Sequence, residues 1–267
     1  MNKIAFILLL SGILINGSIF GQFKPGDIGF NSAEFDIYKK NKVKTQTQIM
    51  RDEDSITTTV SVSEFTEDGW LIRTTFDNGE PAYDDEPIDT MMDEYTYFPD
   101  GRIRIITMFG YDLYPMTHGF EYNKKDKLIA SIFASAEARE NSYEYDKEGN
   151  IIKRIGKSAR FEVDAEGNSL DKMVMVETDI TTYTWDAKKR LKEELFSMNG
   201  EFYNRMVYTY NDKNQLARMK VYYDTAEDAT PVFITTYFYH ENGLLKNMIT
   251  MEDGFSVEHY FKYTFFN

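Results

Sequence analysis

No cysteine occurs among the 267 residues. The chain therefore has no disulfide framework, no thiolate metal cluster and no cysteine nucleophile. Basic residues are outnumbered, 30 Lys and Arg against 44 Asp and Glu, and the formal charge is −14. That balance argues against gripping a nucleic-acid backbone, which needs a positive surface. Histidine is scarce: His118, His240 and His259 stand far apart in no His-x-x-x-His spacing, so zinc has no support in the sequence. There is no Gly-x-Ser-x-Gly elbow, no P-loop and no dinucleotide-binding glycine motif. One Ser-x-x-Lys occurs, Ser169 to Lys172, without a Ser-Asp-Asn or Lys-Thr-Gly companion. Beyond the N-terminus no apolar run is long enough to cross a bilayer as a helix. With 42% hydrophobic and 15% aromatic residues, the chain is nevertheless too apolar to remain disordered.

The N-terminus reads as an address. Met1-Asn2-Lys3 precedes an apolar run from Ile4 to Ile15, and small and polar residues lead to Gly21. This is the layout of a signal peptide cleaved after Gly21. The apolar core is short for a span, which needs roughly 20 residues. No cysteine stands at the cleavage point, so a lipobox anchor is excluded. The expected mature chain, 22–267, is one secreted or periplasmic domain without a transmembrane helix.

The rest of the chain repeats. Tyr143-Glu-Tyr145-Asp146-Lys-Glu-Gly149-Asn-Ile151 has relatives beginning at Tyr95, Phe120, Tyr183, Tyr208 and Tyr237. In all six, an apolar residue stands eight positions beyond the first aromatic: Ile103, Leu128, Ile151, Leu191, Leu216 and Leu245. A fainter copy runs from Ser63 to Leu71, a degenerate eighth from Phe161 to Leu170, and a half copy from Tyr260 to Tyr263. Aromatic-x-aromatic places two rings on one face of a strand. Asp or Asn then begins a turn, and Gly or Asn supplies a left-handed residue. The following apolar residue opens a return strand, so each unit predicts a β-hairpin. Return strands such as Ile151, Ile152 and Ile155 do not keep one parity, which calls for bulges or for cover on both faces. Ahead of the repeats, Asn31–Lys40 predicts a short helix, with strands over 43–50 and 56–65.

The motif at 143–151 resembles the YD repeat of bacterial RHS proteins, across about six or seven units from Ser63 to Tyr263. This chain is too short for the shell those proteins build, and it carries no toxin domain. It is more similar to small secreted YD-like or porin-like-fold proteins. The resemblance implies an all-β fold: an antiparallel meander of hairpins forming one twisted sheet, open or curled toward a barrel. An open sheet would leave two edges able to pair with another copy.

Candidate ligand residues are those outside the repeat positions: the aromatic side chains of Trp70, Tyr83, Tyr111 and Tyr114, with Phe255 beside them. The aromatics inside the repeat are expected to serve its packing. A run of acids without any Lys or Arg, Asp77 to Glu94, offers hard oxygen ligands for calcium at Asp84, Asp85, Glu86 and Asp89. It lacks the spacing of a calcium loop, and a solvated acidic loop is the plainer account. Two functions stay open. One is a non-catalytic binding or scaffolding protein of the envelope, recognising a protein or a glycan. The other is a secreted hydrolase using a pair of carboxylates on a glycan.

Overall fold

The structure, a computed structural model, describes residues 32–51, 57–76, 91–110, 115–124, 127–134, 139–163, 169–226 and 228–267. The expected signal peptide and cleavage point lie outside them. One helix, α1 (Ser32–Lys40), leads into sixteen strands. The first eight are β1 (Val43–Arg51), β2 (Thr57–Phe65), β3 (Leu71–Phe76), β4 (Met91–Tyr97), β5 (Ile103–Phe109), β6 (Met116–Tyr122), β7 (Leu128–Ala134) and β8 (Arg139–Tyr145). The second eight are β9 (Ile151–Val163), β10 (Ser169–Trp185), β11 (Leu191–Met198), β12 (Glu201–Tyr210), β13 (Leu216–Tyr222), β14 (Phe233–Tyr239), β15 (Leu245–Glu252) and β16 (Phe255–Phe265). Each strand pairs antiparallel with its chain neighbours, and β16 pairs with β1, so the sheet closes into a barrel. Closure corrects the idea of free edges: this barrel has none for a second copy to pair with.

The repeats become seven turns at one end of the barrel. In each, the backbone N–H of the turn's first residue donates to the carbonyl four residues on, as Asp146 does to Asn150. Where that first residue is Asp, Asn or Thr, its side chain accepts in return from the fifth residue's N–H. Asp146 takes Asn150 at 2.7 Å, Asp186 takes Arg190 at 2.9 Å, Asn211 takes Gln215 at 3.0 Å, and Thr66 takes Trp70 at 3.0 Å. This is why Asp, Asn or Thr suits the position. Burial works against ionisation of Asp186, yet bonds from Arg190 and the turn amides hold its carboxyl below the usual range. His240 fills the same place through its backbone N–H, which donates to the Leu244 carbonyl.

The fourth turn residue is left-handed: Gly149 has φ 89°, and Lys189 and Asn214 have φ 59° and 61°. A side chain is strained there. Lys189→Gly is accordingly expected to raise the unfolding free energy by about 0.5 to 1 kcal/mol. A urea midpoint measures this, and an unchanged or lower midpoint would contradict it.

Beyond every repeat turn the register slips by one, between Glu144 and Tyr145 for example, where the partners pass from Lys153 to Ile151. The same slip recurs in the other six hairpins. The residue left over is a bulge. It accounts for the broken parity of the return strands: Ile151 points inward and is buried, Ile152 is the bulge and is 38% exposed. Both aromatics of each unit face the interior with the apolar residue after the turn. Leu71, Leu128, Leu191 and Leu216 are all 2% exposed or less. Two clusters result, one along β11–β16 and one along β1–β7.

The second aromatic of the unit does more than pack. The Tyr97 hydroxyl donates to the Leu71 carbonyl at 2.7 Å, Tyr210 to Leu191 at 2.8 Å, Tyr239 to Leu216 at 2.9 Å and Tyr263 to Leu245 at 2.8 Å. Tyr145 bonds Leu128 in the same way, and Trp185 Nε1 bonds Ile151 at 2.7 Å. Each carbonyl sits beside the preceding unit's bulge, where the ladder is interrupted, and the next unit's ring supplies a donor. The sequence shows the consequence. The first aromatic position tolerates Phe120, whereas the second, from Tyr97 onward, always holds a donor-bearing ring.

The chain's two ends make the last unit. Phe261 and Tyr263 face inward, Val43 takes the apolar place, and the Phe266 N–H donates to the Lys42 carbonyl at 2.8 Å. The half copy at Tyr260 is thereby corrected by one residue, since Tyr260 faces outward and donates to Glu258. The degenerate eighth unit is also a hairpin: Phe161 lies near the end of β9, which pairs antiparallel with β10, at the opposite end of the barrel from the repeat turns. The expected helix is present as α1. It lies across the repeat end, with Tyr38 4.4 Å from Phe65, Lys39 2.7 Å from Asp68, and Asn41 donating to the Asn242 carbonyl at 3.3 Å.

Candidate functional site

An inward row of side chains crosses five adjacent strands. Tyr143 on β8 stands opposite Arg154 on β9, which stands opposite Thr181 on β10. Thr181 faces Phe196 on β11, and Phe196 faces Asn204 on β12. A charged residue in an apolar interior must be paired, and Arg154 is. Its Nη2 donates to Asp179 Oδ1 at 2.8 Å and to Thr181 Oγ1 at 3.1 Å. Thr178 donates to the other Asp179 oxygen at 3.1 Å.

Local sequence explains how Asp179 reaches this place. A register slip between Glu177 and Asp179 makes Thr178 a bulge and turns Asp179 inward. Opposite it is Gly156, and a Cβ there would overlap the Asp179 carboxylate. Only glycine leaves that space.

Glu194 stands one step nearer the repeat end, opposite Tyr183. Tyr208 donates to its Oε1 at 3.1 Å. Burial pushes the Glu194 carboxyl up to about 7, against the pull of the Tyr208 hydroxyl and of Arg154. Burial, and then the nearby Glu194, raise the Tyr183 and Tyr208 phenols beyond their ordinary range. On the other flank, Tyr143 shares a 3.0 Å hydrogen bond with Ser131, which also accepts from Asn141 at 3.2 Å. Two buried polar atoms of the row make no hydrogen bond: Arg154 Nε, a donor, and Asn204 Oδ1, an acceptor. Buried polar atoms are nearly always satisfied, by protein or by something bound.

Next to the row, aromatic rings line the wall toward the far end. Phe196 meets Tyr203 edge-on at 5.6 Å, Tyr203 meets Tyr223 at 6.0 Å, and Tyr223 meets Phe233 at 6.3 Å. Around the rest of the barrel the interior is also polar: Gln48, Ser61, Asp93, Thr235 and His259 are buried. Gln48 Nε2 lies 3.0 Å from His259 Nδ1. Burial holds His118 and His259 down to about 4. His118 lies in the middle of β6 with its ring 4.4 Å from Phe120.

The residues singled out in the sequence fall elsewhere. Trp70 closes the first repeat turn at the repeat end, its ring 5.3 Å from Tyr97 and against Gly101. Tyr83, Tyr111 and Tyr114 lie outside the described residues, as do Asp84, Asp85, Glu86 and Asp89. Phe255 begins β16 and is exposed. Ser169 and Lys172 belong to a strand, β10, rather than a helix. Among the described residues no three His, Asp or Glu side chains gather to hold a metal ion. Sequence reading missed Arg154, Asp179, Glu194 and Asn204, because their meeting depends on the register of five strands. The one local signal was Gly156 inside a strand, which marks a bulge or a close approach.

No family model matches the chain, and no curated protein does. Solved structures do. A porin-like protein from Bacteroides uniformis aligns with a TM-score of 0.50 at 10% identity, covering 83% of this chain and 98% of that one. A porin-like protein from Bacteroides vulgatus aligns at 0.44 and 12% identity, with the same coverage. A β-barrel-like protein of a domain of unknown function from Brucella abortus aligns at 0.24 and 10%, covering 84% and 99%. At such identity the first likeness shows the fold, an all-β barrel, and nothing further.

Proposed function

We propose that the protein is a non-catalytic binding protein of the bacterial envelope, and that its ligand seat is the inner wall of the barrel around Arg154. The observation that carries this is the row from Tyr143 to Asn204. It joins fixed charge, aromatic rings and two unsatisfied polar atoms on a wall that folded partners cannot reach. Donor, acceptor and ring in alternation suit a hydroxylated ligand such as an envelope glycan. The N-terminal segment 1–21, read from its sequence as a signal peptide, supports a place outside the cytoplasm, and the repeats support kinship with YD-type hairpins.

The outer face supports a barrel standing in water rather than in lipid. Arg73 pairs with Glu94 at 2.8 Å and faces Glu64 at 3.9 Å across three strands, and Lys153 pairs with Glu144 at 3.6 Å. β3 has 6 residues and β4 to β8 have 7 each, short of the roughly 9–11 that span a bilayer, whereas β1 and β2 have 9, β9 13, β10 17, β12 10 and β16 11. No helix among the described residues is long and apolar enough to cross one either.

A hydrolase is the second reading, favoured by one observation. A carboxyl held neutral up to about 7, as Glu194 is, suits a general acid.

The test compares mature protein with the double variant Arg154→Met/Asp179→Leu, which removes both charges together and leaves neither buried alone. Each is incubated with glycan and protein fractions of a cell-envelope extract and examined by native mass spectrometry. The proposal expects the wild type to retain a glycan-fraction ligand intact and the variant to lose it at least tenfold. Retention of a protein equally by both would overturn it. Recovery of a cleaved glycan that disappears with Glu194→Gln would replace it with the hydrolase.

A further inference from the structure

The fold leaves Glu194 without a countercharge. Among the described residues no Lys, Arg or His pairs with it, and its hydrogen bond comes from the neutral Tyr208 hydroxyl. Arg154 attracts it, but that guanidinium is already bonded to Asp179 at 2.8 Å and to Thr181 at 3.1 Å. Arg154 and Asp179 cancel, so an ionised Glu194 is a net negative charge on the inner wall. Such a charge is neutralised by a proton or by a cation. There is room for the second. Arg154, Asp179, Glu194, Phe196, Asn204 and Met206 point inward yet are only half-buried, so the interior beside them is open. Aromatic rings flank that space. Tyr183 stands opposite Glu194, Tyr208 bonds it from β12, and Phe196 lies two residues along β11 on the same face. Ring faces attract cations. A calcium ion would need roughly six to eight oxygen ligands, and among the described residues no such group gathers.

We infer that the ligand of this seat carries a primary amine with Glu194 as its countercharge, so that the glycan contains hexosamines whose amino groups are free rather than acetylated. The inference rests on the lumen reading above and names the ligand class within it. One carboxylate among rings suits an ammonium group, which needs a single countercharge and tolerates aromatic neighbours. The rest of the row serves the sugar: Thr181, Asn204 and the Tyr143 hydroxyl offer donors and acceptors to its hydroxyl groups. The chain's net charge of −14 draws a cationic glycan toward the barrel. Proton balance follows. Without ligand the Glu194 carboxyl, held up to about 7 by burial, keeps its proton in mildly acidic solution. When the ammonium docks, the carboxyl gives that proton to solvent and the two charges pair. The groups that face Glu194 are Tyr183 from β10, Tyr208 from β12 and Arg154 from β9, with Asp179 beyond it. Both phenols stay neutral throughout, because burial raises them.

The test compares glucosamine oligomers of about two to six units with N-acetylglucosamine oligomers of the same lengths, by calorimetry in two buffers of different ionisation heat. Near pH 7 the free-amine series is expected to bind about tenfold more tightly or better. Its affinity should rise about tenfold per pH unit from about pH 5 toward 7, with about one proton released per molecule bound at the acidic end. The acetylated series should show neither effect. Glu194→Gln keeps an acceptor for Tyr208, and it should level the two series and abolish the rise. A urea midpoint checks that this variant is folded. Equal affinity for the two series in the wild type, or failure of both to bind, would overturn the amine inference. Equal affinity that is lost in Arg154→Met/Asp179→Leu would do so while leaving the lumen reading intact. A free-amine preference that survives both Glu194→Gln and the double variant would count against the inference and the lumen reading together. Tighter binding of trilysine than of any glucosamine oligomer would overturn the sugar and assign the seat to a basic peptide.

Discussion

Tyr210→Ala is expected to lower the unfolding free energy by about 3 to 5 kcal/mol, and Tyr210→Phe by only about 1 to 2 kcal/mol. The ring packs against the cluster along β11–β16, beneath the Arg190 guanidinium at 4.4 Å. Alanine removes that packing and leaves a cavity. Phenylalanine keeps the packing and removes only the bond to the Leu191 carbonyl. That carbonyl sits beside a bulge, so the neighbouring strand does not replace the lost donor. Urea denaturation of the two variants measures both losses. A neutral Tyr210→Phe would mean that the hydroxyl does not join the hairpins. A loss below about 1 kcal/mol for Tyr210→Ala would mean that the ring is not part of the core.

Glu194→Gln is expected to stabilise the protein at pH 8 by up to about 3 kcal/mol and to leave it unchanged near pH 4. The sign follows from proton binding. Unfolded, a glutamate ionises near its ordinary value of 4.5, whereas burial holds the folded group up to about 7. Between those values the folded state binds the extra proton, so stability falls as pH rises through the window. The loss is complete above 7. Glutamine keeps an acceptor for Tyr208 and has no charge to bury. His118 and His259 act the opposite way. Burial lowers both from 6.5 to about 4, so the unfolded state takes up protons first as pH falls, and stability declines from 6.5 toward 4. The wild type should therefore be most stable near pH 6.5, and Glu194→Gln should extend that optimum upward. Thermal unfolding across pH 4 to 8 checks it. Parallel curves for the two proteins would show that Glu194 is not buried as described.

Hairpins, turn residues and bulges were legible because each is written within nine consecutive residues. The bulge announced itself in the parity of Ile151, Ile152 and Ile155. The joining role of the second aromatic was also present in the sequence, as the preference for Tyr or Trp over Phe at 97, 122, 145, 185, 210, 239 and 263. Its cause was not, because the acceptor belongs to the previous unit. Phe161, with its acid and glycine, does belong to a hairpin, but a turn motif does not say at which end of a barrel it sits. Tyr260 carries the right residue type one place out of frame, and only the pairing of β16 with β1 identifies Phe261 as the inward ring. Closure itself was out of reach, since Val43 and Phe265 meet across nearly the whole chain. The row around Arg154 was hidden for the same reason. Each of its residues looks ordinary on its own strand, and only four consecutive registers, across five strands, bring them together.

Closure of the barrel between β1 and β16 is the claim on which the enclosed wall and its ligand seat depend. It is tested most directly by Thr45→Cys/Thr264→Cys in a chain with no cysteine of its own. The two hydroxyls lie 2.7 Å apart on paired residues of the outer face. Mild oxidation of the native protein should join them completely, giving a compact band on a denaturing gel that reverts with reductant. Linking positions this far apart in sequence should also raise the unfolding free energy by roughly 3 to 5 kcal/mol. Two thiols that stay free and react with maleimide under native conditions would show that β1 and β16 do not meet and that the sheet is open.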